Sequence, residues 1–314
     1  MTTIPRKSII NPAGSDRLFR IAAAGSAFLV LALLAGLLVQ LGIGSAPAWR
    51  EFGFGFLIGT GWDPVANVYG ALPAIVGTLL TTAIALILAI PPAFVTALWL
   101  VDAPPGIGEI LSQALDLLAA IPSVIYGMWG LFVLVPLMQD YIQPFLSETL
   151  KLGKIPFFGE YGNGFGFLTA SLILALMILP YMSAVMRNVF RMTPSMLRES
   201  AFGIGCTRWE TAKDIVMRYG IRGLLGGIFI GLGRALGETM AVLFVIGNVM
   251  ELPNNLYASG TTIAATLANN FAEANGLMRS VLFALGLILL LLSLGVQVLA
   301  QYYLAMTGAA RGEK

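Results

Sequence analysis

An arginine and a glutamate, Arg234 and Glu238, stand four positions apart in the stretch Gly231-Leu232-Gly233-Arg234-Ala235-Leu236-Gly237-Glu238-Thr239-Met240. Leu224 to Ile230 precede it and Ala241 to Ile246 follow it without a single charge. A guanidinium presents a planar fork of donors that matches two oxygens of an oxyanion, and a carboxylate close by competes for those donors when the anion is absent. On a helix of 3.6 residues per turn, Gly227, Gly231, Arg234, Glu238 and Ala241 share one face, while Leu225, Phe229, Leu232, Leu236 and Leu243 lie largely on the other. An arginine at the centre of a bilayer costs at least about 2.5 to 3.5 kcal/mol, which an i, i+4 Arg–Glu pair partly offsets. Two readings are open: a salt bridge that locks the helix, or a station on a substrate path whose glycines let another helix or the substrate approach the backbone. Intramembrane charges more often mark function, which favours the path.

Other chemistries have little to work with. The chain contains no histidine and one cysteine, Cys206, so the commonest metal ligand and general base are missing and no disulfide forms within the chain. With no histidine to activate it, Cys206 reads as a structural filler, and an intramembrane enzyme lacks a nucleophile–base pair unless a carboxylate such as Asp116 takes part. The glycines around Arg234 do not spell a dinucleotide fingerprint, because Gly237 stands one residue too far and no strand precedes Gly231. Hydroxyl groups at Thr78, Thr81, Thr82, Ser123 and Tyr126 are further candidates to line a substrate path. The competing reading for the serine and threonines, bonding back to carbonyls of their own helix, is the stronger one, and these residues rank below Arg234.

The elements that must position these groups are membrane helices. Hydrophobic residues make up 58% of the 314-residue chain and charged ones 11%, with a mean hydropathy of +0.86, which no soluble globular domain sustains. Apolar runs long enough to cross a bilayer begin near Leu18, Ala71, Ala114, Phe165, Leu224 and Ser280, predicting an all-α integral membrane protein with six transmembrane helices. The first run mimics a secretory signal, with Arg17 and Arg20 ahead of it and Ala46-Pro47-Ala48 behind. Its core from Ile21 to Ile43 is too long for a signal of roughly 7 to 15 apolar residues, so an uncleaved span over 18–44 is expected. With six spans and the N-terminus inside, thirteen lysines and arginines fall on the cytoplasmic side, and only Arg50, Lys151, Lys154 and Arg279 fall outside. Both termini, 1–17 and 305–314, are therefore expected in the cytoplasm. A net charge of +2, distributed by topology rather than gathered in a patch, argues against a nucleic-acid partner. Pro91-Pro92, Pro122 and Pro180 are expected to kink or break the second, third and fourth spans.

The inner loop 187–222 carries two helix signatures. Thr193 with Pro194 behind it reads as the start of one helix, which Gly203 or Gly205 ends. Thr207 and Glu210 form a capping box for a second helix running toward Arg218, a few residues before span five. A DNA-binding helix-turn-helix tethered between two spans, without a basic recognition face, carries little weight.

Glu199-Ser200-Ala201, then Gly205, then Ile215 match the EAA loop of ABC-importer permeases, with Met217 and Arg218 where that pattern has Leu and Pro. Tyr69 to Thr82, Ala119 to Pro136, Glu199 to Glu210, Gly231 to Asn248 and Ala268 to Ala274 together resemble, in order and over almost the whole chain, the PstC-type permease subunits of high-affinity phosphate ABC importers. Met240-Ala241-Val242 after Glu238-Thr239 favours that subunit type over its PstA-type partner. The resemblance implies a type I, MetI-like ABC-permease fold over 71–304, preceded by the first span and a periplasmic loop over 45–70. It implies import of inorganic phosphate across the bacterial inner membrane, with Glu199, Ser200, Ala201, Gly205, Thr207 and Glu210 in an ATPase-coupling loop. Its implied partners are a PstA-type permease, a homodimeric ATPase and a periplasmic phosphate-binding protein. No cofactor is expected on this chain. Its one Gly-Lys, Gly153-Lys154, is followed by Ile155, so the sequence has no Walker element, and ATP with its magnesium is expected on the ATPase. Arg234 and Glu238 do not by themselves identify the anion, so a sulfate or molybdate permease stays open, as does a passive anion channel.

Overall fold

The computed structural model describes residues 12–104, 106–155, 157–159 and 162–309. The basic residues Arg6, Lys7, Arg311 and Lys314 of the expected cytoplasmic tails lie outside the described residues. Within them, six helices are long and apolar enough to cross a membrane: Asp16–Phe52, Leu72–Val101, Ser123–Thr149, Phe167–Arg191, Arg208–Leu236 and Gly276–Met306. They are numbered here as spans one to six. The expected all-α membrane architecture is present, with one small addition. Trp62–Asp63 pairs antiparallel with Val68–Tyr69 in a two-residue hairpin.

Span four is the hub. Its apolar stretch is the most enclosed of the six, and it packs most extensively against span two. Span two presents Ala85, Ala89, Ala93 and Ala97, all fully buried, in a ridge at i+4 spacing, and such small side chains let helix backbones approach closely. Phe167, Ile173, Met177, Met182, Met186 and Phe190 of span four fill the core beside that ridge. Span one is peripheral: its apolar stretch is exposed throughout, and it leans mainly on span six, where Gly44 accommodates the Phe283 ring.

Two boundaries differ from the sequence expectation. The first helix continues past Gly44 to Phe52, where Trp49 and Phe52 join Phe56, Trp62 and Tyr69 in an aromatic cluster that carries the hairpin. Burial there, with the Asp63 carboxylate close by, raises the Tyr69 pKa above the ordinary tyrosine value. The apolar run from Ala114 is two elements: a separate amphipathic helix, Ile107–Ala120, and span three, which starts at Ser123 after extended backbone at Ile121 and Pro122. Proline cannot donate into a helix, and its ring disfavours helical geometry in the residue before it, so Pro122 divides the run. Pro91, Pro92 and Pro180, by contrast, sit inside helices that continue past them.

Candidate functional site

The route from the exposed loop to Arg234 is one continuous element. Helix Ser195–Gly203 ends in a Schellman motif: Cys206 N–H donates to the Ala201 carbonyl, Gly205 N–H donates to the Phe202 carbonyl, and Gly205 holds φ +91°. The positive φ expected of Gly205 is present. Thr193 does not cap this helix, because Thr193 N–H is drawn back to the Phe190 carbonyl, and its buried hydroxyl has no hydrogen-bond partner. Pro194 occupies the cap position instead. The capping box forms as expected, with Thr207 and Glu210 bonding each other's backbone N–H groups. The second helix, however, does not stop near Arg218: Arg208–Glu210 passes through a π-helical segment, Thr211–Val216, directly into Met217–Leu236. Span five and the second loop helix are therefore a single rod from Thr207 to Arg234.

That rod lies against span four through its glycines. A side chain at Gly220 or Gly223 would strike Val189, one at Gly227 would crowd Val185, and one at Gly231 would strike Met182. The glycine face serves helix–helix contact along most of its length.

At its end the two charges part. The helix terminates at Leu236, Gly237 caps it, and a new short helix begins at Met240. Arg234 thus sits in the last turn, where the negative end of the helix dipole favours a cation. Glu238 lies in the break, and its Oε1 accepts from Ala241 N–H at 3.3 Å, so the carboxylate caps the start of the short helix, where the dipole favours an anion. The expected i, i+4 ion pair is not formed. Among the described residues, Arg187–Asp116, Arg198–Asp102 and Arg218–Asp214 lie within ion-pair distance and Arg234–Glu238 does not. The chain needs no mutual pairing here, because each charge has a helix end.

Arg234 has an aromatic neighbour. Its guanidinium carbon stands 5.3 Å from the centre of the Tyr181 ring on span four, a cation–π contact. The Tyr126 phenol of span three lies within its electrostatic reach, and the Tyr126 hydroxyl donates to the Leu118 carbonyl at 2.9 Å. The Arg234 Nε is buried without a hydrogen-bond partner, an unsatisfied donor. Sequence reasoning missed Tyr181. The available signal was a lone tyrosine beside Pro180 within an apolar span.

The remaining hydroxyls divide. Thr78 donates to the Ala74 carbonyl at 2.7 Å and accepts from Ile263 N–H at 2.9 Å, tying span two to the helix Ile263–Asn270. Thr81 donates to the Gly77 carbonyl. Both are buried and occupied by backbone, while the buried Thr82 hydroxyl has no partner. Ser123 is the half-buried first residue of span three. Tyr126 bonds the Leu118 carbonyl within electrostatic reach of Arg234, and Thr78 and Thr81 are engaged elsewhere. Away from the spans, the loop knob exposes Met196, Phe202, Ile204 and Trp209, an apolar patch of the kind that marks a protein interface. Glu199, Ser200, Gly205 and Thr207 are exposed beside it, and Ala201 is buried under the turn. Arg198 anchors the knob, bonding the Phe190 carbonyl at 2.9 Å and Asp102, the residue that caps the end of span two, at 3.3 Å.

Comparison with known proteins decides the family. The model of the binding-protein-dependent transport system inner membrane component family matches residues 41–305. The chain belongs to this family. It is a multi-pass component of a transport system, not an enzyme. It is 45% identical to the phosphate transport system permease protein PstC of Haemophilus influenzae over the whole of both chains. It is 46% identical to the protein of that name from Pasteurella multocida, over 95% of this chain and 94% of the relative. The probable PstC of Methanocaldococcus jannaschii is 34% identical over 97% of each. Among solved structures, a bacterial alginate ABC transporter in complex with an alginate-bound periplasmic protein aligns with TM-score 0.61 at 17% identity, over 92% of this chain and 94% of that one. The inward-facing MetNI methionine ABC transporter aligns at 0.56 and 14%, over 78% and 99%. At those identities the likeness is one of fold: this chain has the ABC-importer permease fold.

Proposed function

We propose that this chain is a membrane-spanning subunit of an ATP-driven importer that moves inorganic phosphate across a bacterial inner membrane. The observation that carries the site is Arg234: a guanidinium at the broken end of a membrane helix, against the Tyr181 ring, with a buried donor unengaged. Discontinuous helices at membrane depth are a recurring way to build transport sites, because the break exposes polar groups to a cavity rather than to lipid. A phosphate oxygen replaces the missing acceptor at Arg234, and the cation–π contact holds the guanidinium without satisfying its in-plane donors. Glu238, across the break, lowers the affinity of the site for an anion. That serves a carrier, which must release what it binds. Full-length relatives bearing the phosphate-permease name support phosphate as the anion.

The partners in this reading are a PstA-type permease forming a heterodimer with this chain, two copies of an ATPase that binds ATP and magnesium, and a periplasmic phosphate-binding protein. The exposed Met196, Phe202, Ile204 and Trp209 around the Schellman turn fit an ATPase groove. The unbroken rod from Thr207 to Leu236 then carries a rigid-body push from that groove to Arg234. Both termini lie in the cytoplasm, following the basic residues of the loop 187–222. The test is ATP-dependent uptake of labelled phosphate into vesicles holding the complex, with sulfate as competitor. Phosphate uptake that excess sulfate leaves unchanged supports the reading, and uptake abolished by sulfate overturns the choice of anion.

A further inference from the structure

Span four holds a second buried guanidinium that the site above does not use. Arg187 is 7% exposed. Its Nη2 stands 3.5 Å from Asp116 Oδ1 on the amphipathic helix Ile107–Ala120, longer than the roughly 2.7 to 2.9 Å of a charge-assisted hydrogen bond. Its Nε and Nη1 are buried with no acceptor at all. Arg198, farther along the chain, is better satisfied: it bonds a carbonyl and a carboxylate, and only its Nε lacks an acceptor. A purely topological arginine satisfies its donors with water or acceptors, whereas Arg187 reaches only the Asp116 carboxylate and leaves Nε and Nη1 unpaired.

Its position relates it to Arg234. A cavity of about 420 Å³ lies between the amphipathic helix, the start of span three and span four, walled by Leu115, Leu118, Tyr126, Leu176 and Pro180 among others. Tyr126, on one wall, is within electrostatic reach of Arg234. Leu115, on another, precedes Asp116, and Pro180 lies on the same face of span four as Arg187, about two turns away at 3.6 residues per turn. The cavity has room for several waters at roughly 30 Å³ each, hence for a small oxyanion. Its walls are apolar, so it offers an anion no resting place of its own.

We propose that Arg187 is a second oxyanion site, a station for a phosphoryl group about two turns beyond Pro180 toward the loop, with Asp116 as the carboxylate that competes for it. The proposal rests on the reading of Arg234 as the first phosphate station. Two sites of moderate strength let an anion leave the first without a deep trap. The same chemistry suits free inorganic phosphate and the phosphate of a lipid headgroup, and the test separates these sources.

The complex, purified through a tag on this chain, is titrated with ³²P-labelled inorganic phosphate in lipid-depleted detergent, and co-purified lipid is identified by native mass spectrometry. Two classes of binding are expected, the weaker surviving in Arg234→Gln. Arg187→Gln weakens that class by roughly tenfold, the worth of hydrogen bonds to a charged group. Asp116→Asn acts in the opposite direction, tightening it about 2- to 5-fold, the worth of a partly exposed ion pair. A bound lipid retained in Asp116→Asn and lost in Arg187→Gln identifies a headgroup as the resident oxyanion and supports the site. Unchanged binding and unchanged lipid in Arg187→Gln overturn the proposal. So does equal loss of the weaker class in both variants, which marks a structural pair. A wild-type complex that binds no phosphate in either class refutes the reading of Arg234 as well. Loss of the Arg187-dependent class alone leaves that reading standing.

Discussion

Gly203 and Gly205 are two residues apart on the same exposed knob, and substitution at them is expected to give opposite results. A side chain at either position meets nothing within 4 Å, so crowding contributes to neither. The difference is in the backbone: Gly205 holds φ +91° in the Schellman turn, whereas Gly203 is the last helical residue and is not among the positive-φ glycines. A side chain in the left-handed region costs about 1 to 2 kcal/mol, least for Asn and Asp and most for β-branched residues. That is roughly a factor of 5 to 30 in the population of the native turn. Alanine at Gly203 costs nothing and adds up to about 1 kcal/mol of helix propensity. The assay is ATPase co-purification together with ATP-driven phosphate uptake, normalised to inserted protein. Gly203→Ala is expected at wild-type values. The series Gly205→Asn, Gly205→Asp, Gly205→Val is expected to lose ATPase or uncouple hydrolysis from uptake progressively, with phosphate binding intact at Arg234. Equal, near-normal behaviour of Gly205→Val and Gly203→Ala refutes the turn as the coupling element.

Thr78→Val leaves the buried Ile263 N–H without its acceptor, at a cost of about 1 to 3 kcal/mol, and is expected to lower the thermal midpoint of the complex by size-exclusion melting while the KM for phosphate stays unchanged. A raised KM with unchanged stability places Thr78 on the path after all. Glu238→Gln keeps an acceptor for Ala241 N–H and removes the charge, so assembly stays normal while phosphate release slows in single-turnover measurements. Unaltered release limits Glu238 to its capping role.

The parts of this architecture legible in the sequence are those governed by local rules. Thr207 and Glu210 form their box, Gly205 takes its positive φ, and six apolar runs become six spans because a bilayer demands about 20 such residues. Where sequence reasoning failed, hydrophobicity masked a break or a tertiary contact overrode a local signal. The apolar residues on both sides of Arg234 read as one helix, yet Gly237 and Thr239 were stop and start signals inside that run. Ile121-Pro122-Ser123 was the equivalent signal ahead of span three. Spacing alone paired Arg234 with Glu238, but spacing fixes a face only while the helix lasts. Neither the Tyr181 stack nor the orphaned donors of Arg187 were legible, since both depend on which spans meet.

The central claim is that Arg234 holds the transported phosphate, and Arg234→Gln tests it most directly. Replacing the guanidinium removes charge-assisted hydrogen bonds worth about 1.5 to 3 kcal/mol, or a factor of roughly 10 to 100. In vesicles containing equal amounts of assembled complex, ATP-driven phosphate uptake is therefore expected to fall at least tenfold in Arg234→Gln. Arg234→Lys, which keeps the charge and loses the planar fork, should fall between that variant and wild type. Uptake by Arg234→Gln at the wild-type rate, with the complex intact, contradicts the account.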